Sequence, residues 1–296
     1  MIVDQAALQS IYRGFKVIFN QAFQAAQSQY EKIATVVPST TKEELYKWLG
    51  KIPRMREWIG DRIIQNLSAY GYTLRNKTWE VTVGVDREDI EDDTIGLYNP
   101  LVQALGQAGA LHPDDLIFDL LLAGFTGICY DGQYFFDADH KDGNGPVQSN
   151  VSTAALSAAS YNAAYAAMMG TTDENGEPLG ITPNLLVVPP QLRATALQIL
   201  KAERDAAGAT NINQNSAEVL VVPRLAKNPA AWFLLDTTKP VKPLLFQRRK
   251  PLNFVAMFDD KDTNVFMRKE YLYGADCRDN AGYGLWQMAY GSTGTI

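Results

Sequence analysis

Six carboxylates crowd the end of the stretch TWEVTVGVDREDIEDD at 78–93: Asp86, Glu88, Asp89, Glu91, Asp92 and Asp93. Carboxylate oxygens at that density suit a hard cation such as calcium. The spacing of a calcium loop does not follow. Counted from Asp86, position six is Glu91, where the turn needs glycine, and position twelve is Leu97, where a bidentate glutamate is needed. The alternative is a solvated run whose last members precede a helix and favour its N-terminal dipole.

A second cluster, FDADHKDG, holds Asp137, Asp139, His140 and Asp142, the residue types of a carboxylate-histidine metal site. The calcium register fails here too, with Asp142 at position six and Gln148 at position twelve. A turn held by side chain to backbone hydrogen bonds is the expectation. A metal-dependent α/β enzyme with its site near Asp137–Asp142 is the alternative function. The chain has two histidines, His112 and His140, and two cysteines, Cys129 and Cys277, with no CxxC. Histidine-rich metal sites and Ser-His-Asp chemistry are therefore hard to assemble, and the cysteines read as small buried side chains in a reduced setting. No GxSxG, Walker A, GxGxxG or HExxH pattern occurs. No catalytic, cofactor-binding or metal residue is assigned, and the chain reads as a non-enzyme without a cofactor.

The elements that would carry these residues follow from periodicity. Ile11, Phe15, Ile18, Phe19, Ala22, Phe23, Ala26 and Tyr30 recur at helical spacing, which predicts an amphipathic N-terminal helix. Thr41 and Glu44 have the spacing of a capping box, predicting a short helix that ends near Gly50. From Arg62 the period changes to two. Trp79, Val81, Val83 and Val85 share one face of a strand, with RIIQNLSAYGYTL before it as antiparallel partner and Arg75, Asn76 and Lys77 at the turn. Residues 62–90 thus read as a long hairpin that needs another surface to lie on.

GLYNPLVQALGQAGALHPDDLIFDLLL predicts one long or kinked helix, interrupted near His112 and Pro113. VSTAALSAASYNAAYAAMMG predicts an alanine-rich helix stopped at Gly170. NLLVVPP is a buried strand, QLRATALQILKAE a helix, and AEVLVVPRL a partial recurrence of that unit. The tail from Lys239 alternates strands and turns that must pair with earlier segments. At 296 residues and 46% hydrophobic the chain can bury a large core. A net charge of −6 argues against a dedicated nucleic-acid binder. The basic segment holding Lys239, Lys242, Arg248, Arg249 and Lys250 suits DNA backbone, an acidic neighbour or plain solvent. No stretch approaches the roughly 20 apolar residues of a membrane span.

Taken in order, LGKIPRMREWIGDR (49–62), LRNKTWEVTVGVDREDIEDDTIG (74–96), FFDADH (135–140), GEPLGITPNLLVVPPQLRATALQIL (176–200) and GYGLWQMAYGS (282–292) resemble the Mu-like prophage major head subunit family. That family is one of tailed-phage major capsid proteins of the Hong Kong 97 type, an α+β fold. The resemblance implies an N-arm at 1–40 and an extended-loop region with the long hairpin at 41–92. It further implies a peripheral domain with its spine helix at 93–140, an axial domain at 141–237 and returning peripheral strands at 238–296. It implies self-assembly through hexamers and pentamers into an icosahedral shell around double-stranded DNA, contacted non-specifically on the inner surface. A portal protein, a separate scaffold or maturation protease, and a decoration protein are the further partners it suggests, with assembly in the bacterial host cytoplasm and no membrane. The chain begins at the arm, which is why a separate scaffold is expected. On this reading Trp79, Val81 and Val83 make apolar inter-subunit contacts, and Arg62, Arg75, Lys77 and Arg87 face acidic partners. Gly60, Gly71 and Gly84 are the expected bending points.

Overall fold

Helix α1 (Gln5–Ala25) opens the chain, with Leu8, Phe15 and Phe19 buried along one face, as the three-and-four spacing requires. In this computed structural model, which describes residues 5–49, 71–92, 95–141, 145–173, 176–205, 207–259 and 261–295, a 3₁₀ turn at Tyr30–Lys32 leads into β1 (Ala34–Pro38). β2 (Glu43–Tyr46), β3 (Tyr72–Arg75), β4 (Lys77–Asp86) and α2 (Arg87–Glu91) precede the long α3 (Asn99–Leu122). Short strands β5 (His140–Lys141), β6 (Val147–Gln148) and β7 (Val151–Ser152) come next. Then follow α4 (Ala158–Met169), β8 (Leu185–Val188), α5 (Arg193–Leu200), β9 (Glu218–Val221) and β10 (Trp232–Leu235). The tail supplies β11 (Leu244–Met257), α6 (Thr263–Arg268), β12 (Glu270–Tyr283) and β13 (Ala289–Ser292).

Two sheets organise the body. One has the order β1-β11-β12-β4, with β1 parallel to β11 and the other pairs antiparallel. The other runs β7-β13-β10-β8-β9. Its strands β8 and β10 are buried at every position, the pattern of strands covered on both faces.

There are also two cores. The larger gathers the second sheet, the C-terminal half of α3 through Ile117, Phe118 and Leu121, and the start of β11. The smaller packs α1 and the N-terminal half of α3, through Val102 and Leu105, on Phe254, Tyr271 and Tyr273 at the far end of the β11–β12 hairpin. Helix α3 and the β11–β12 hairpin therefore thread both cores. At the waist between them Pro113 removes an amide donor inside α3, leaving the Gly109 carbonyl without its helical partner, and the β11–β12 ladder shifts register between Arg248 and Asn253. The helix runs unbroken through His112 and Pro113, and Asp114 caps a different segment: its carboxylate accepts from the backbone N–H of Gln29 (2.9 Å) and Tyr30 (2.7 Å). Where α1 crosses α3, a Cβ on Gly106 would lie 2.5 Å from the Phe19 carbonyl oxygen, so only glycine permits this approach.

The expected hairpin is corrected. Its first part, 62–70 with Arg62, lies outside the described residues, and so do Gly60 and Gly50. Among the described residues β3 pairs with β2 over four positions, and β4 pairs with β12 over ten. β3 and β4 are separated by Asn76 alone and lie in different sheets. Asn76 is a corner rather than a hairpin turn, and it is buried. Its N–H donates to the Lys42 carbonyl (3.0 Å), while its side-chain amide donates to Ser39 Oγ (2.8 Å) and the Thr41 carbonyl (2.9 Å). The helix expected from Thr41 to Glu44 is also corrected. Glu44 does reach back to Thr41, but it closes a turn into strand β2. Gly84 is no bending point, since it lies in the β4–β12 ladder where a Cβ would collide with the Glu270 carboxylate.

Replacing Asn76 with alanine removes the corner's side-chain hydrogen bonds inside a buried network. The expected loss is about 1–3 kcal/mol of unfolding free energy in urea titration; a change below about 0.5 kcal/mol would contradict the role assigned to it.

Candidate assembly surfaces

The β2–β3 ribbon joins Glu43–Tyr46 to Tyr72–Arg75 on either side of residues 50–70, which lie outside the described residues. Its inner face carries Tyr46 and Leu74, both buried, and its outer face carries Leu45, Thr73 and Arg75. Beneath it sits Gln247 of β11, fully buried. The Tyr46 hydroxyl donates to Gln247 Oε1 (2.7 Å), and Gln247 Nε2 donates to the Leu74 carbonyl (3.1 Å) and to Asn76 Oδ1 (2.8 Å). Both atoms of the glutamine amide are thus matched, the condition for keeping a polar group inside a core. At the ribbon's entrance Glu44 Oε1 accepts from the N–H groups of Thr40 (2.9 Å) and Thr41 (3.1 Å) and from the hydroxyls of Ser39 (2.8 Å) and Thr41 (2.9 Å). These donors, the Thr40 amide foremost, hold its carboxyl down at about 2.

The residues expected at subunit contacts divide in two. Trp79, Val81 and Val83 face the chain's own body. The Trp79 ring lies 4.9 Å from His112 of α3, and Val81 and Val83 pack on the smaller core. Arg75 and Lys77 are exposed beside the corner, with the Lys77 ammonium 6.0 Å from the Trp79 ring, and Arg87 pairs with Glu91 one helical turn on (2.8 Å).

The acidic run does local work. Asp86 caps α2 by accepting from the Glu88 N–H (2.9 Å), and Tyr98 donates to Asp89. In the second cluster Asp137 accepts from the N–H groups of Tyr134 and Ala138, as expected of a turn, and Asp139 is exposed. His140 turns inward, stacked on Trp286 with ring centres 4.0 Å apart and Nδ1 2.7 Å from Asp131. Asp142 lies outside the described residues. Four of the five side chains in the basic segment are engaged within the subunit: Lys239 on the Gly180 carbonyl, Lys242 on that of Glu31, Arg248 on the Tyr30 hydroxyl and Lys250 on Asp276.

A scan against family models matches the Mu-like prophage major head subunit gpT model over residues 8–155, 149–225 and 226–296, nearly the whole sequence. The chain belongs to the Mu-like prophage major head subunit family. The head subunit is 37% identical over 296 residues to the major capsid protein of Escherichia phage Mu, covering all of this chain and 76% of that one. Among solved structures it is similar to the procapsid of bacteriophage JBD30, at 36% identity and a TM-score of 0.64, over 99% of this chain and 77% of that one. A JBD30 capsid decorated with minor capsid protein trimers matches at 34% identity and a TM-score of 0.59, over 70% of this chain and 93% of that one. The fold is that of the Hong Kong 97-type phage capsid proteins, and the head subunit is a structural protein of the virion rather than an enzyme. The metal-enzyme alternative has no support: the family and relatives are head and capsid proteins, Asp137 accepts turn N–H groups and His140 pairs with Asp131. No helix among the described residues is long and apolar enough to cross a membrane.

Sequence reading missed several of the strongly exposed apolar groups among the described residues. Phe266 and Met267 on α6, at the outer end of the β11–β12 hairpin, are 81% and 71% exposed, and Ile212, in the loop before β9, is 85% exposed. The signal for α6 was present in DTNVFMRK, where strict alternation lapses and two large apolar residues adjoin. The central Gln247 carried none, because one glutamine in a strand does not announce its partners.

Glu44 gives a pH test of the ribbon's entrance. Its carboxyl is lower in the folded state than in the unfolded chain, so its stabilising contribution is present above the ordinary glutamate value and is lost as pH falls through about 2. Urea midpoints from about pH 5 down to 2 should fall more steeply for the native chain than for Glu44→Gln. Parallel curves would refute the assignment.

Proposed function

We propose that this subunit assembles through hexamers and pentamers into a closed icosahedral shell around packaged double-stranded DNA. On this reading 1–40 is the N-arm and 41–92 the extended-loop region. The peripheral domain takes 93–140 and 238–296 around the spine helix α3, and the axial domain takes 141–237. The observation that carries the reading is a body with two completed cores that still leaves large apolar groups uncovered, among them the adjoining Phe266 and Met267 at the tip of the β11–β12 hairpin, Ile212 before β9 and Leu97 just before α3. Isolated apolar side chains need no explanation, but adjoining ones on a projecting tip mark a contact surface.

The ribbon extends this logic. Its inner face is anchored on Gln247, and its outer face offers Leu45 and Arg75 beside Lys77. Arg75 and Lys77, with Arg62 and Arg87, are the cations proposed to meet acidic neighbours, and charge of this kind serves register and specificity more than affinity. Trp79, Val81 and Val83 contribute to assembly chiefly by stiffening β4 against the subunit's own helix. The portal, a scaffold or maturation protease, and a decoration protein such as the minor capsid trimers of the JBD30 shell are the further partners of this reading, with assembly in the host cytoplasm.

The test is electron microscopy of shells made from the variants Phe266→Asp/Met267→Asp and Arg75→Glu/Lys77→Glu. Exposed substitutions of this kind shift subunit stability by only about 0.5 kcal/mol. Folded subunits with unchanged denaturation midpoints but without closed particles are expected. Normal particles from both double variants would overturn the proposal.

A further inference from the structure

Each of the chain's two cysteines is followed two residues later by an aspartate, and each histidine lies against one of these pairs. Cys129, Asp131 and His140 form one group, and Cys277, Asp279 and His112 the other. Within each, one ligand atom per residue lies within 4.8 Å of the others. Imidazole nitrogen, thiolate sulfur and carboxylate oxygen together are the donor set of zinc and related divalent ions.

Their surroundings separate the two groups. The first is sealed: the His140 and Asp131 side chains are 0% and 3% exposed, and the Asp131 carboxylate is occupied by His140 Nδ1, the Cys129 thiol and the Gln133 N–H. It reads as a sealed knot with no route in, although the buried His140 Nε2 has no hydrogen-bond partner. The second has similar internal hydrogen bonds, with His112 Nε2 and the Cys277 thiol on Asp279, but it opens on a cavity of about 450 Å³ between α1, α3, β11 and β12, lined by all three residues. The His112 side chain is 20% exposed, with Nε2 3.1 Å from Asp279 Oδ1. The cations in the cavity wall are engaged elsewhere, Arg248 with the Tyr30 hydroxyl (2.6 Å) and Lys250 with Asp276 (2.5 Å). An ion therefore has an entry route, three donors of suitable type and room for water in a fourth position.

We propose that His112, Cys277 and Asp279 bind a divalent cation of the zinc class, with water completing the coordination. Binding releases the Cys277 proton to solvent, as thiolate ligation requires. His112 belongs to α3 and the other two donors to β12, so the ion staples helix to sheet at the waist between the cores. There Pro113 has removed a helical hydrogen bond and β11 is out of register. The staple does not depend on the assembly reading.

Cobalt(II) is the probe, added to chelator-treated full-length subunit. A saturable near-ultraviolet sulfur-to-cobalt charge-transfer band is expected, displaced by zinc. Cys277→Ser abolishes the band. His112→Gln and Asp279→Asn weaken binding by at least about tenfold, the scale on which even supporting groups act. Cys129→Ser leaves band and affinity unchanged. Zinc raises the thermal midpoint of the native chain and of Cys129→Ser but not of Cys277→Ser, with far-ultraviolet circular dichroism confirming that each variant is folded. No charge-transfer band in the native chain, a band that survives in Cys277→Ser, or one lost in Cys129→Ser alone would each overturn the proposal.

Discussion

A single buried amide, that of Gln247, holds three segments of chain in register. It accepts from Tyr46 of the outgoing strand, donates to the Leu74 carbonyl of the returning strand, and donates to the Asn76 side chain where the path turns into the next sheet. Leaving any of these groups unpaired in a core costs about 1–3 kcal/mol, so the network favours one arrangement of the ribbon over its alternatives. The pairing of β2 with β3 and the corner into β4 are set there, inside the subunit, before any neighbour is present.

The two cores are tied together by the elements they share. α3 and the β11–β12 hairpin each contribute side chains to both cores, so bending at the waist would have to disturb two packed interiors at once. The ion pairs at the larger core act differently. Arg224 reaches Asp115 and Asp119 of α3 at 2.5 Å, but all three side chains are substantially exposed, and such pairs are worth about 0–1 kcal/mol. Orientation, more than stability, is what they supply.

Much of this body was legible in the sequence because it follows from period and punctuation. The spacing of Phe15 and Phe19, the halt at Gly170 and the uninterrupted Leu185–Val188 each have one physical reading, and the structure follows it, while the apolar run through Pro113 is a single helix without the expected interruption. Strand partners were not legible. The alternation of Trp79, Val81 and Val83 reports a buried face without saying what buries it, and among the described residues β4 pairs with β12, nearly 200 residues on, while β3 pairs with β2. The Thr41–Glu44 spacing failed for a related reason, since a carboxylate gathering backbone N–H groups serves a turn into a strand as well as the start of a helix. The Cys-x-Asp pairs become meaningful only when the fold brings a histidine from far along the chain to each.

On the proposed assembly, the body and the loop root are complete in the free subunit, while the exposed tips find their partners only in the shell. Amide hydrogen exchange on free subunits and on assembled particles tests this directly. The β2–β3 amides and the Asn76 N–H should be protected to the same degree in both states, with protection at 263–268 and around Ile212 gained only on assembly. Rapid exchange at the ribbon root in the free subunit, or tips already protected there, would contradict it.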